Sequence, residues 1–231
     1  MSKTIIIGGG AIGLSVAYHL ATREVSDVTL LERNQITSGT SWHAAGIVGP
    51  LRATPNMTQL ARYALELFPQ LEEESGQSTG FKTTGGYWLA RKPERLDELH
   101  RIAALGQTQG LTASVINATD VQSELPFLQL STHQGALKVA EDANVNPVDL
   151  CMAYAQIAKR MGVEIREGTE VTHIETSEGK VTGVHLVDGT QISAEHVVIC
   201  CGAWSKPLAA SAGLSLPLQP VEHMYLSLIH I

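Results

Sequence analysis

The residues most able to do chemistry in this sequence stand near its beginning. Gly8-Gly9-Gly10-Ala11-Ile12-Gly13 fits the spacing GxGxxG, and Glu32 follows Gly13 by 19 positions. In that spacing the first glycine permits a tight turn, the second lets backbone approach a pyrophosphate, and the third packs a helix against a strand. A carboxylate at the place of Glu32 can accept hydrogen bonds from both hydroxyls of a ribose. It also repels a 2′-phosphate, although Arg33 beside it leaves that discrimination open. The inference is an adenine dinucleotide. The bland alternative is a glycine-rich turn with an unrelated acid at a strand end.

That chemistry requires the glycines to lie between a strand and a helix, and their flanks read so. Thr4-Ile5-Ile6-Ile7 is a short β-branched run, residues 11–22 place apolar side chains at helical spacing, and Val28-Thr29-Leu30-Leu31 is a second buried run. A β-α-β unit of this size is a mononucleotide-binding half and begins a parallel sheet. Residues 35–55 read as an ordered, Gly- and Thr-rich loop. Met57, Leu60, Ala61, Ala64, Leu65, Phe68 and Leu71 predict an amphipathic helix. Strands are expected over 86–90, 113–116 and 136–139, a helix from about Pro93, and another from Pro147 to about Met161, where proline suits a first turn. Residues 163–166, 170–176, 181–187, 190–193 and 197–200 predict an antiparallel meander with a hairpin turn at Asp188-Gly189, returning into a buried strand of the nucleotide sheet. Residues 217–228 read as one further strand.

The fold class is therefore α/β. A Rossmann-like dinucleotide domain is expected from 1–50 and 140–213, interleaved with a mostly antiparallel α+β substrate domain from 51–139 and 214–231 that is incomplete. At 231 residues, 44% hydrophobic and 17% charged, the chain can bury a full core. A net charge of −7 argues against a nucleic-acid partner. Cys151, Cys200 and Cys201 are an odd number without zinc-ligand spacing, no apolar run is long enough to span a bilayer, and the first strand leaves no room for a targeting segment. These features predict a cytoplasmic protein with no metal, no membrane insertion and a small neutral or zwitterionic substrate. Cys200 and Cys201 read as small buried strand residues rather than redox partners.

Beyond the ribose acid the chain reads Thr37-Ser38-Gly39-Thr40-Ser41-Trp42-His43-Ala44-Ala45-Gly46. Here it resembles the FAD-dependent amine oxidoreductases of the D-amino-acid oxidase superfamily, in the dimethylglycine and sarcosine dehydrogenase branch. The resemblance extends through Asn146-Pro147-Val148-Asp149-Leu150, Gly202-Ala203-Trp204-Ser205 and Pro220-Val221-Glu222-His223-Met224-Tyr225. It implies FAD as cofactor, held by Gly8, Gly10, Ala11, Ile12, Gly13, Glu32, Arg33, Ser38, Gly39, Thr40, Trp42, Ala44 and Gly46. Gly202, Ala203 and Trp204 would bring backbone close to it, and Val171 would meet the adenine through its main chain. By the same match His43 is the point of covalent attachment to the flavin 8α carbon, where a neutral imidazole nitrogen can add; otherwise it is a loop histidine that hydrogen-bonds backbone or packs beside the flavin. The branch usually carries Asp-Gly before its proline-initiated helix, whereas this chain has Asp142-Ala143.

The chemistry so implied is oxidation of the C–N bond of a small secondary or tertiary amine. A neutral amine is bound, hydride passes from an N-methyl or N-methylene carbon to flavin N5, and the iminium product is hydrolysed. If 217–228 is a strand, His223 and Tyr225 share one face, and the resemblance turns that face toward the amine as the catalytic pair. A hydrogen-bonded pair that only packs is the alternative. Arg52, Lys82 and Arg91 are too scattered to define a carboxylate or phosphate clamp. A flavin dehydrogenase for a 2-hydroxy acid or glycerol phosphate, or a non-catalytic FAD-holding subunit, are the competing readings. The electron acceptor is not legible.

Overall fold

Short runs with every side chain apolar or β-branched suit strands covered on both faces, and two such runs form the centre of the main sheet. The computed structural model describes residues 3–130, 134–222 and 224. Strand β1 (Thr4–Ile7) passes through the glycine turn into α1 (Ala11–Thr22), which returns to β2 (Val28–Leu31). The middle of the chain holds β3 (Ile47–Val48), α2 (Pro55–Ser75), β4 (Lys82–Thr83), β5 (Gly86–Ala90), α3 (Pro93–Thr108), β6 (Ala113–Asn117) and α4 (Ala118–Glu124). It ends with β7 (Gly135–Val139) and β8 (Ala143–Asn144). Then come α5 (Pro147–Arg160), β9 (Glu164–Arg166), β10 (Val171–Ser177), β11 (Lys180–Leu186), β12 (Gln191–Ser193), β13 (His196–Ile199) and α6 (Ser205–Ser211).

Contacts divide the chain into two units. The first comprises Met1–Ala45, Leu71–Thr79 and Asn146–Ile231, and the second Gly46–Gln70 and Gly80–Val145.

In the first unit a parallel sheet runs in the order β13-β1-β2-β9. All of β1 and β2 is buried. Helix α5 starts as its sequence suggests, with Pro147 in the first turn and the Asn146 side chain accepting from the Val148 and Asp149 N–H groups at 3.0 and 3.3 Å. It lies beside α1, where the Tyr18 and Tyr154 rings meet edge-on at 5.4 Å. The antiparallel sheet β10-β11-β12 turns at Asp188, whose carboxylate accepts from the Thr190 N–H at 2.8 Å. Its Ile174 and Val184 pack with Ile5, Ile7, Leu31 and Leu208 in one core. The segment 163–166 does not belong to this meander: as β9 it pairs parallel with β2, Thr29 opposite Glu164. Apolar alternation marks a strand without saying which way its neighbour runs, and a strand that follows a helix packed beside α1 is delivered to the parallel sheet.

In the second unit the antiparallel sheet β5-β7-β6 carries α3 on a core of Leu99, Ala103, Leu137 and Val139, while α4 contributes Val121 to a separate cluster with Leu130 and Ala136. A small sheet orders β3-β8-β4. This pairing places 46–50 and 140–145 in the second unit rather than with the nucleotide sheet. Residues 71–79 lie with the first, where the Glu72 carboxylate accepts from the Thr79 N–H and hydroxyl, both at 2.7 Å. Ala143 sits in β8 without a positive φ, so the glycine usual in the resembling branch is not required there.

The expected strand over 217–228 does not form across residues 217–222. Pro217 and Pro220 each remove a ladder donor, and the Leu218 N–H turns back to the Leu216 carbonyl at 2.8 Å. His223 and Tyr225 lie outside the described residues. Among the described residues no helix is long and apolar enough to cross a membrane, and no cluster of His, Cys, Asp and Glu could hold a metal ion.

Candidate cofactor site

The site is built where β1, β2 and β13 end side by side. The Cys200 N–H donates to the Ile7 carbonyl at 2.7 Å and the Gly8 N–H to the Leu31 carbonyl at 2.8 Å, so the turn after β1 is fastened to both neighbours. Gly8 has φ +112, and a Cβ there would stand 2.4 Å from the Cys200 carbonyl oxygen. A Cβ on Gly13 would stand 1.9 Å from the Gly8 carbonyl oxygen, which is how close α1 comes to the turn. No side chain fits at either place. The first turn of α1 is thereby aimed at the space beyond the strand ends, the place where open α/β sheets bind ligands and where a helix N-terminus favours an anion.

Glu32 closes the other side. Its Oε2 accepts from the Gly9 N–H at 2.7 Å and its Oε1 from the Asn34 N–H at 2.9 Å. Each oxygen keeps a further lone pair, so the carboxylate is held in place and still able to accept ribose hydroxyls. The connection from β9 to β10 wraps this strand end. The Thr169 N–H donates to the Glu32 carbonyl and the Gly168 N–H to the Asn34 carbonyl, both at 2.8 Å, and the Glu167 carboxylate accepts from the Ile36 N–H at 2.8 Å.

A cleft of about 1070 Å³ lies over this arrangement, within the first unit. It exceeds the roughly 300–1,000 Å³ of ordinary small-molecule pockets, as an extended dinucleotide requires. Of the residues singled out from sequence, Gly8, Gly10, Ala11, Ile12, Glu32 and Arg33 line it. So do Ser38, Gly39, Thr40 and Ala44 from the loop, Val171 from β10, and Gly202 and Trp204 from the turn after β13. Ile12, 69% exposed, presents an apolar side chain to the cleft. The Arg33 guanidinium lies over the Trp204 ring at 4.5 Å.

Gly13, Trp42, His43, Gly46 and Ala203 are not in the wall. Gly13 acts from behind by the close packing just described. Trp42 and His43 lie exposed in a 3₁₀ turn, Ser41–His43, with ring centroids 3.8 Å apart and planes tilted by 39°. The His43 Nδ1 is 3.2 Å from the Gly39 carbonyl oxygen, which can only accept, so Nδ1 carries the hydrogen in this arrangement. Gly46 falls in the second unit.

Ser41 was not singled out, yet its hydroxyl accepts from the Ala11 N–H at 2.9 Å and ties the loop to the start of α1. Its one sequence signal is its place in the Thr-Ser-Trp-His string. Thr169 and Thr172 also line the cleft without any local signal, because their position depends on β9 joining the parallel sheet. Cys200 and Cys201 face the cleft as well, and burial pushes both thiols up, Cys201 to about 11. They follow β13 rather than lie in it and are half-buried rather than buried, and their thiols are protonated at neutral pH.

The glycine turn, the carboxylate fixed at the second strand end and the dimensions of the cleft fit an adenine dinucleotide. The chain belongs to the FAD dependent oxidoreductase (DAO) family, whose pattern it matches over residues 3–230. It is 37% identical over 223 residues to 4-methylaminobutanoate oxidase (formaldehyde-forming) of Paenarthrobacter nicotinovorans, covering 96% of this chain and 27% of that protein. It is 37% identical over 227 residues to the mitochondrial pyruvate dehydrogenase phosphatase regulatory subunit of Mus musculus, covering 97% and 26%. Human mitochondrial sarcosine dehydrogenase is 32% identical over 230 residues, covering 97% and 25%. The chain thus spans about a quarter of the length of these relatives. Among solved structures, L-proline dehydrogenase from P. horikoshii superposes with a TM-score of 0.86 at 27% identity, over 92% of this chain and 56% of that one. The α/β fold with its interleaved antiparallel sheets is that of this family.

Proposed function

We propose that this chain is the FAD-binding part of an enzyme that oxidises the C–N bond of a small secondary or tertiary amine of the dimethylglycine or sarcosine type. The observation that carries the cofactor is the glycine turn locked against Glu32 in a chain of an FAD-dependent family. The substrate class rests on relatives named for sarcosine and 4-methylaminobutanoate, both N-methylated amino acids.

In this reading the turn at Gly8–Gly13 and the first turn of α1 hold the pyrophosphate, Glu32 takes the ribose hydroxyls, and the main chain of Val171 meets the adenine. The backbone of Gly202 and Ala203, in the turn after β13, approaches the cofactor, and Trp42 shields it. When bound, the flavin supplies the hydride acceptor. With Nδ1–H donated to Gly39, the neutral His43 ring carries its lone pair on Nε2, the nitrogen that would bond to the flavin 8α carbon. His223 and Tyr225 are the catalytic pair of this reading, His223 keeping the amine unprotonated and Tyr225 positioning it. Three cysteines without a disulfide among them suit a reducing compartment, and we place the protein in the cytoplasm.

The test is anaerobic reduction of the bound flavin, followed by turnover with an artificial electron acceptor, across N-methylated amino acids, 2-hydroxy acids and glycerol phosphate. Bleaching by dimethylglycine or sarcosine is expected. Bleaching by a hydroxy acid or glycerol phosphate alone would replace the amine assignment. A second reading, a non-catalytic FAD-holding subunit, is favoured by the 37% identity to a protein named as a regulatory subunit. A yellow protein reduced by none of these compounds would support it. Covalency is tested separately: flavin should stay with the polypeptide after acid precipitation and be released from His43→Ala.

A further inference from the structure

The parallel sheet places β1 between β2 and β13, and each neighbouring strand lies about 4.8 Å away. The ends of β2 and β13 are therefore about 10 Å apart, with the glycine turn between them. Arg33 leaves the end of β2, Trp204 leaves the turn after β13, and the two meet at 4.5 Å. Both side chains line the cleft, so their contact links the ends of the two strands that flank β1. Gly39 lies beside this contact, for a Cβ there would come within 3.7 Å of the Trp204 ring. All three residues line the cleft, and Trp204 is 44% exposed, so the contact is a bridge at the mouth rather than part of the core.

We infer that Arg33 and Trp204 form a strap across the mouth of the cleft and gate the exchange of the dinucleotide. The inference rests on the cofactor reading above. A contact made both before and after the molecule binds adds equally to both states. It is lost only in the opened state through which the ligand passes. Breaking it should therefore speed entry and release together and leave the dissociation constant nearly unchanged. Arg33 acting simply as a phosphate ligand gives a different pattern, since losing that contact raises release and the dissociation constant alike.

The experiment uses the intact protein carrying His43→Ala, so that no covalent bond can obscure release, with the flavin removed and FAD added back. Association is followed by quenching of flavin fluorescence, and release by its recovery on dilution. Trp204→Leu keeps the Arg33 charge and removes the ring face. Both rates should rise about two- to fivefold, the equivalent of an exposed cation–π contact, with the dissociation constant within about twofold. Trp204→Phe, which keeps a ring face, should restore most of the slow exchange. Unchanged rates in Trp204→Leu, or a weakened dissociation constant with unchanged association, would overturn the strap. Failure of the parent protein to bind FAD at all would instead overturn the cofactor reading.

Discussion

Gly13→Ala is the smallest change that should dismantle the cofactor site. The new methyl would lie 1.9 Å from the Gly8 carbonyl oxygen and 3.3 Å from the Cys200 side chain. Contacts below 3.0 Å are essentially never tolerated, so α1 or the turn must move by about 1.1 Å. Both sides of the clash are backbone, and neither can rotate away. Overpacking of this kind costs about 1–3 kcal/mol and sometimes more, with the rigid contact favouring the upper end. Alanine returns about 1 kcal/mol by its better helix propensity. The net is about 2 kcal/mol of destabilisation, or roughly 4–8 °C in Tm for a chain of this size. The displaced helix end also leaves the pyrophosphate, so flavin content should fall further than the loss of stability alone explains. Differential scanning fluorimetry and the ratio of flavin absorbance to protein absorbance measure the two effects. A variant with wild-type Tm and full flavin would refute the close packing of turn and helix.

Other consequences are as definite. Gly10→Val puts a side chain 3.0 Å from the Ser41 hydroxyl and into the wall of the cleft, so the purified variant should be folded by circular dichroism and nearly free of flavin. His223→Ala should leave flavin content nearly unchanged and lower kcat/KM on the order of 10²-fold, the loss easing as pH rises and free amine is supplied by solution. Tyr225→Phe should cost less, having lost one hydrogen bond and no titrating group; steady-state kinetics across pH reads both. In the second unit burial pushes the Asp142 carboxyl above its ordinary 3.8, outweighing the Trp88 hydrogen bond and the Arg52 charge that pull it down, and one of its oxygens has no partner. A raised value means that the folded form binds the proton more tightly. The contribution to stability is complete below 3.8 and is lost as pH rises through the folded value. Asp142→Asn, neutral throughout, should therefore gain Tm over wild type progressively from about pH 4 toward neutrality.

The parallel core was readable because Thr4-Ile5-Ile6-Ile7 and Val28-Thr29-Leu30-Leu31 are uninterrupted apolar or β-branched runs, as strands covered on both faces are, and the helix that joins them makes the pair parallel. The glycine turn and Glu32 were readable because their spacing is dictated by the same unit. What escaped had no periodicity to show. β3, β4 and β8 are two residues each, and α4 is a seven-residue helix whose Asn117 cap resembles any turn. The membership of β9 in the sheet was hidden because it is decided by where α5 packs. Ser41 was overlooked among its neighbours since its role, a hydroxyl accepting from Ala11 across 30 residues, exists only once the loop is folded back. The expectation of a strand over 217–228 took in Pro217 and Pro220, which interrupt pairing in the part described.

The central claim is that this cleft holds FAD. The measurement that meets it most directly is the absorption spectrum of the purified protein, with the extracted cofactor identified by mass. The account predicts a flavin spectrum with FAD near one equivalent per chain, lost in Gly10→Val. A colourless protein that takes up NAD tightly and no flavin would contradict it.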